Sequence, residues 1–499
     1  MQKKLWTIAA LALAACGVSG TDPADQVRID LSTESITLNV GASATVSVII
    51  TNTSTLPDLV VRDSNIASAT LGAGIQITGL QVGTTYVVAA IPGFPAARDS
   101  VRVTVTTSNP QQPAVLPLLG TGLVPERWTA EVAAAGQYAY TTTWNFRGAT
   151  PGDVVKIWNV GGNTPLLIDS LKVPGVSTIS DIQISSDGTL LVISTEGGPS
   201  NGIILYSRAN PAAPTEVGRF ATANTADGVH TVKLGRVEGR HYAFLNIDPG
   251  SKPARLAIVD ITNPAASTEV FSQQMGNPFI HDVFARDGIL LAALWDDGLS
   301  IFDIGGGGRG GSPSAPVLMG NVRTVACKVC FPNTSSVHNV WWFHDPTNNG
   351  KRYAFVGEEG FGNVGSQRAS GALHVVDVSN LSAPVEVAIF EPDSSTSANG
   401  KNAGAHNFVM DEASGILYAA FYNGGVRAFD VRGDLGSCTA AQKTPQGLCD
   451  LKLMGREVGI AVSSGPPKYI WGVALVGSAL YASDMHVGVH KIDVSALQR

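Results

Sequence analysis

The sequence predicts an all-β chain, a small β-sandwich followed by a β-propeller of seven blades whose ring is closed by a strand from its own N-terminal end. Three observations carry this. Of 499 residues, 55 are glycine and only 15% are charged, which suits short strands and tight turns, and no stretch has the periodicity of an amphipathic helix. A phrase that opens a short apolar strand with histidine, as in His281-Asp-Val-Phe-Ala and His338-Asn-Val-Trp-Trp, recurs at roughly 50 to 70 residues, the self-similarity of stacked sheet units. Each recurrence brings a later strand ending in Ile/Val/Phe-Asp.

The N-terminal residues 1–15 read as a processing signal, because Lys3 and Lys4 precede an apolar run from Leu5 to Ala15 that is too short to span a bilayer. The run ends in Leu13-Ala14-Ala15-Cys16, which resembles the lipobox of bacterial lipoproteins. That resemblance implies cleavage before Cys16, lipidation of Cys16 and anchoring to a membrane through the lipid; the competing reading is an ordinary secretory peptide cleaved nearby. Both readings export the chain, to a cell envelope, outer membrane or cell surface location. Gly17 in place of aspartate implies, by the same resemblance, the outer membrane where the cell has one. Residues 16–26 are a polar tether.

Residues 27–107 alternate apolar and polar side chains between frequent turns, as in Ser35-Ile-Thr-Leu-Asn-Val-Gly41, which suggests a sandwich. The runs Asp63-Ser-Asn-Ile-Ala-Ser-Ala-Thr70 and Ile77-Thr-Gly-Leu-Gln-Val-Gly83 resemble bacterial Ig-like domains of surface proteins. The resemblance implies a stalk. Thr106 to Pro113 is the linker.

Residues 114–499 align as seven units, with Thr129, Asp181, His230, His281, His338, His406 and Trp471 in equivalent places on the first strands. Third strands repeat Leu256-Ala-Ile-Val-Asp260, Leu299-Ser-Ile-Phe-Asp303, Leu373-His-Val-Val-Asp377, Val426-Arg-Ala-Phe-Asp430 and Val489-His-Lys-Ile-Asp493. These are similar to LVIVD repeats, a family that implies a propeller; Val154–Asn159 and Ile203–Ser207 depart from the pattern by lacking the aspartate. The repeated aspartate is expected to cap the following turn through backbone amides. The last unit has three strands before Arg499, so Ala114 to Val124 is expected to supply the missing fourth.

Export decides how the remaining cysteines read, since an oxidising compartment favours disulfides: Cys438–Cys449 around a polar loop, stabilising by about 2 to 3 kcal/mol, and Cys327–Cys330, whose alternative is a catalytic dithiol. Four of the seven equivalent first-strand places are imidazole. His230, His281, His338 and His406 are therefore candidate ligands for one transition metal, iron, copper or zinc. The layout, without a shared motif, resembles carotenoid cleavage oxygenases and selenium-binding methanethiol oxidases, propellers whose axial histidines hold a metal. Against this stands a structural role, in which each imidazole bonds the neighbouring blade. Asp181, Trp471 and Thr129 complete the ligand channel, while Thr231, Asp282, Asn339 and Asn407, next in sequence to the histidines, are expected to brace blades. Weaker patterns read as structure: Gly198-Pro-Ser-Asn-Gly202 as a hairpin loop, Gly306-Gly-Gly-Arg-Gly-Gly311 as a flexible linker, and Glu358, Glu359, Asp296 and Asp297 as solvated turns.

A net charge of −7 argues against nucleic acid. The reading that follows is an exported, lipid-anchored propeller that binds an envelope protein, peptide or glycan; the alternative is a metal-dependent oxidoreductase built on the four histidines. An enzyme working by carboxylate acid and base lacks paired Asp or Glu at the first-strand places.

Overall fold

The computed structural model describes residues 27–106, 113–248, 253–325, 336–360, 371–391, 404–462 and 468–498. The expected signal peptide, tether, lipidated Cys16 and Cys327–Cys330 pair lie outside the described residues. The chain divides into two compact units, Met1–Asn109 and Pro110–Arg499.

In the first unit, one sheet carries the strands Ser35–Asn39, Arg98–Thr106, Gly83–Ala90 and Asp58–Val61 in that spatial order, and a second carries Ser43–Val46, Ile75–Gly79 and Ala67–Leu71. Alternation along the strands directs Val87, Ala89, Val101, Val103 and Val105 of the first sheet and Val46, Ile75 and Ile77 of the second into one shared core. Arg28–Leu31 pairs with Val48–Thr51 at the margin.

The second unit is a β-propeller. Among its described residues are seven sheets, each built on four antiparallel strands, and two of them gain a short parallel fifth strand. Their first strands, Trp128–Ala135, Ile182–Ile184, Thr231–Val237, Asp282–Arg286, Val337–Trp342, Phe408–Asp411 and Ile470–Val476, touch one another in chain order, and the last touches the first. Apolar residues fill the spaces between successive sheets. Ala133, Tyr140 and Ile157 meet Ile182, Leu191 and Ile204, and the series ends where Ala474, Tyr481 and Val489 meet Val132, Ala139 and Trp158. The second and third strands of the sheets are buried on both faces and read as near-continuous apolar runs, while outermost strands such as Leu166–Lys172 are largely exposed.

The closing segment does two things. Leu118–Leu123 pairs antiparallel with Gly488–Asp493 and completes the last sheet, while Ala114–Val115, just before it, adds a parallel fifth strand to the preceding sheet beside Glu457–Ala461. Thr121 Oγ1 and His490 Nδ1, 2.9 Å apart, fasten the closing strand. Its Gly122 is required by packing, since a Cβ there would stand 2.5 Å from Cζ3 of Trp158.

The repeated aspartates cap as expected: Asp260, Asp377, Asp430 and Asp493 each accept the amide two residues on, at 2.9 to 3.0 Å. Asp303 does more. Its carboxylate accepts the amides of Gly305, Gly307, Arg309 and Gly311 at 2.6 to 3.2 Å, so the glycine-rich insert is wound around an anion and is no flexible linker. Gly198–Gly202 lies in a turn between strands, and Cys438 and Cys449 form a disulfide.

Candidate metal centre

The first strands bring the histidines to one level because their backbones occupy the same rung. The amides of His230, His281 and His406 donate to the carbonyls of Asn246, Ala293 and Ala420, each on the second strand of its own sheet, at 2.9 to 3.0 Å. The rings follow one another at centroid separations of 4.6 Å (His230–His281), 3.8 Å (His281–His338) and 4.3 Å (His338–His406). Trp471 stacks on His406 at 4.3 Å, Trp144 lies 5.4 Å from Trp471, and Trp144 stands edge-on to His230 at 5.6 Å. Six rings thus make a closed circuit.

Hydrogen bonds fix the tautomer of His406 and orient the ring of His230. His406 Nδ1 lies 2.7 Å from the Trp471 carbonyl, which can only accept, so Nδ1 carries the proton and Nε2 keeps a lone pair. His230 Nδ1 lies 2.7 Å from Glu196 Oε1 and 3.8 Å from Asp248 Oδ1. Its Nε2 is 2.9 Å from Nε2 of His281. Two nitrogen donors each about 2.1 Å from one ion and at right angles stand about 3 Å apart, which is the separation found here.

His338 is fully buried, and neither of its nitrogens makes a hydrogen bond; Nε2 stands 3.4 Å from Glu359 Oε2. Nδ1 of His281 is likewise without one. Buried polar atoms left unpaired cost about 1 to 3 kcal/mol each, so these nitrogens mark a place where a ligand would be held. Burial, reinforced by the neighbouring imidazoles, holds His281, His338 and His406 well below the ordinary histidine range, which keeps them neutral and able to ligate. Burial also opposes the charge on His230, but Asp248 and Glu196 outweigh it and push this imidazole up to about 10. The Asp248 and Glu359 carboxyls are each pushed up to about 7 by burial, against the pull of His230 and, for Glu359, the hydroxyl of Tyr422, which donates to Oε1.

Two sets of three ligand atoms, all within 4.8 Å of one another, occur here among the described residues: His230, Asp248 and His281, and His281, His338 and Glu359. Each is two imidazoles and a carboxylate, and His281 belongs to both. His406 belongs to neither and flanks the cluster.

The other expected channel residues do different work. Asp181 accepts the amides of Ile182 at 2.7 Å and Val232 at 2.9 Å, bracing two sheets. Thr129 is buried and its hydroxyl makes no hydrogen bond. Thr231 Oγ1 donates to the His281 carbonyl and Asn407 Nδ2 to Glu131 Oε1, so these two brace between sheets as expected. Two further first-strand carboxyls, outside the seven equivalent places, are perturbed by burial. Glu131 is pushed up to about 8 by burial and by Asp181, and Asp282 to about 6 by burial despite Lys233, 3.4 Å away. The expected solvated turn at Glu358 and Glu359 is also wrong, since both are buried.

Glu196 and Asp248 were missed, and Glu359 was read as a turn acid, because all three stand just past the ends of second strands. Asp248, Trp295 and Tyr422 each lie two residues beyond the rung partner of a histidine, and Glu196 and Glu359 directly follow the strands Leu190–Thr195 and Tyr353–Glu358. Trp295 and Tyr422 hold left-handed backbone, with φ of 53° and 42°, a conformation rare for large aromatic residues and concentrated at functional sites.

A family model described as the LVIVD repeat matches residues 251–274, 282–324 and 369–391. The chain carries LVIVD repeats. Among solved structures it is similar to the Cps50 (Swd1) β-propeller domain of Myceliophteria thermophila, at 12% identity over 74% of this chain and 97% of that one, with a TM-score of 0.47. It is also similar to Sqt1 of Chaetomium thermophilum, at 12% identity over 76% and 99%, with a TM-score of 0.48. A third, the computationally designed Ika8 protein, shares 8% identity over 75% and 98%, with a TM-score of 0.41. No curated protein matches the chain.

Proposed function

We propose that this LVIVD-repeat chain is a seven-bladed propeller whose axis holds one divalent transition metal, and that it works as a metal-dependent oxidoreductase. The observation that carries the reading is the pair of two-histidine, one-carboxylate sets that share His281. That donor set suits iron(II), with positions left for other ligands, and the chemistry such an ion supplies is oxidation with dioxygen. His281 is the indispensable ligand, His338 and Glu359 serve one side of it, and Asp248 and His230, the latter once the ion displaces its Nε2 proton, serve the other. Glu196 supports the reading as an outer partner, because a ligating imidazole gives its second N–H to a carboxylate or carbonyl.

We place the propeller at the cell envelope, on a chain that also carries an Ig-like unit and is anchored through lipid on Cys16. Support comes from Leu13-Ala14-Ala15-Cys16 and from a described disulfide that suits an oxidising compartment.

The test is metal content. The chain is expressed from Thr21, loaded with iron, copper or zinc, and counted by mass spectrometry. Near one ion per chain is expected for wild type and none for a folded His281→Ala. A second reading, an envelope-binding module, draws on the exposed apolar run Leu166, Leu167 and Ile168 on an outer strand. Absence of metal after loading with all three would replace the first reading with the second.

A further inference from the structure

A cavity that the metal cluster does not use lies at the other end of the first strands. It sits where Ile182–Ile184, Thr231–Val237 and Asp282–Arg286 finish, whereas His230 and His281 stand just before the last two begin. Four residues of strand, about 13 Å, separate Leu234 in its wall from His230. The cavity has a volume of about 360 Å³, within the range of sites that enclose a small molecule. Ile184, Leu234 and Ala285, all half-buried, line it with apolar surface, while Arg236 and His241 line it with donors.

Most of the charges around it are already matched. Arg286 pairs with Glu412 at 2.7 Å, and the same Glu412 oxygen accepts Trp341 Nε1 at 3.2 Å, so neither is offered to a ligand. Asp287 is met by Lys351. Asp187 stands outside the lining, its carboxylate held by Ser185 at 2.6 Å and by Thr189 at 2.8 to 3.0 Å. Arg236 has no carboxylate partner among the described residues. Its Nε donates to the Gly239 carbonyl at 3.3 Å, which orients the guanidinium and leaves both Nη groups without a hydrogen bond. The ring of His241 makes none either, although its backbone amide donates to Thr262 Oγ1 at 3.1 Å, and an imidazole carries an N–H in either tautomer.

We propose that this cavity binds a small organic monocarboxylate, its carboxylate taken by the Nη groups of Arg236 beside His241 and its apolar body laid on Ile184, Leu234 and Ala285. A guanidinium fork matches a carboxylate through two parallel N–H···O bonds. A dianion would find no second unpaired cation in the wall, since Arg286 and Lys351 are already met. The site is separate from the proposed metal centre and does not rest on it.

The test is a fluorine NMR titration of 4-fluorobenzoate and its neutral counterpart 4-fluorobenzyl alcohol into the full chain purified in detergent with EDTA present, melting temperatures being measured on the same samples. Saturable binding of 4-fluorobenzoate is expected, at least about tenfold tighter than that of the alcohol. Arg236→Gln, at an exposed position, should weaken the acid about tenfold and leave the alcohol unchanged. His281→Ala should bind the acid as wild type does, because the metal cluster lies at the other end of the strands. Equal affinity for the two probes, an Arg236→Gln chain that binds the acid as wild type, or binding lost in a folded His281→Ala would overturn the site. Should a variant unfold, the comparison of the two probes on wild type decides alone.

Discussion

At the scale of single residues, the account turns on which nitrogen of each imidazole is free. Glu196 holds the Nδ1 proton of His230 and the Trp471 carbonyl holds that of His406, leaving Nε2 of His406 for another partner and turning Nε2 of His230 toward Nε2 of His281 at 2.9 Å. Glu196→Gln is therefore expected to weaken metal binding by about 10- to 100-fold while the melting temperature stays near wild type; competition with a chelator measures the first and calorimetry the second. Asp248→Asn and Glu359→Gln should each weaken it as well. The histidines were legible because they repeat at one place on apolar strands. Glu196, Asp248 and Glu359 were not, because the equivalent place on the second strand is Trp295 in one sheet and Tyr422 in another, and no single residue type marks it. Glu359 looked like a turn acid until the fold placed it against His338.

At the scale of the element, Asp303 shows how a loop is made rigid by one carboxylate. Four amides converge on it and hold its carboxyl down at about 2, burial notwithstanding. The folded pKa lies below the unfolded one of about 3.9, so this stabilisation is complete above pH 4 and is lost as pH falls through about 2. Asp303→Asn keeps the shape and loses the charge-assisted bonds, an expected cost of about 2 kcal/mol at neutral pH by denaturant unfolding. The gap between wild type and variant should narrow as pH falls from 4 toward 2. The third-strand aspartates were readable as caps from their fixed place. The insert after Asp303 was not, because a glycine run has the composition of a linker, and only the converging amides reveal its hub.

At the scale of the whole molecule, the ring depends on a strand from its N-terminal end lying against the C-terminal one. Gly122→Val would drive a side chain into Trp158 and is expected to destabilise by about 1 to 3 kcal/mol, read as a lower denaturant midpoint. Deleting Gly488–Arg499 removes the partner of Leu118–Leu123 along with part of the apolar layer between the last and first sheets. Calorimetry should show the propeller transition lost in that truncation and a separate transition of the first unit retained. The repeat period and the missing fourth strand made closure legible in advance. The split of Ala114–Val124 between two sheets was not, since two residues of parallel pairing leave no pattern in sequence.

The centre itself is tested most directly by an anomalous difference map at the iron edge, from crystals of the iron-loaded chain. The account predicts one peak on the propeller axis, about 2.1 Å from a ring nitrogen of His281 and within bonding distance of Asp248 or Glu359. A map with no peak in the channel, or with its peak away from His281, would contradict it.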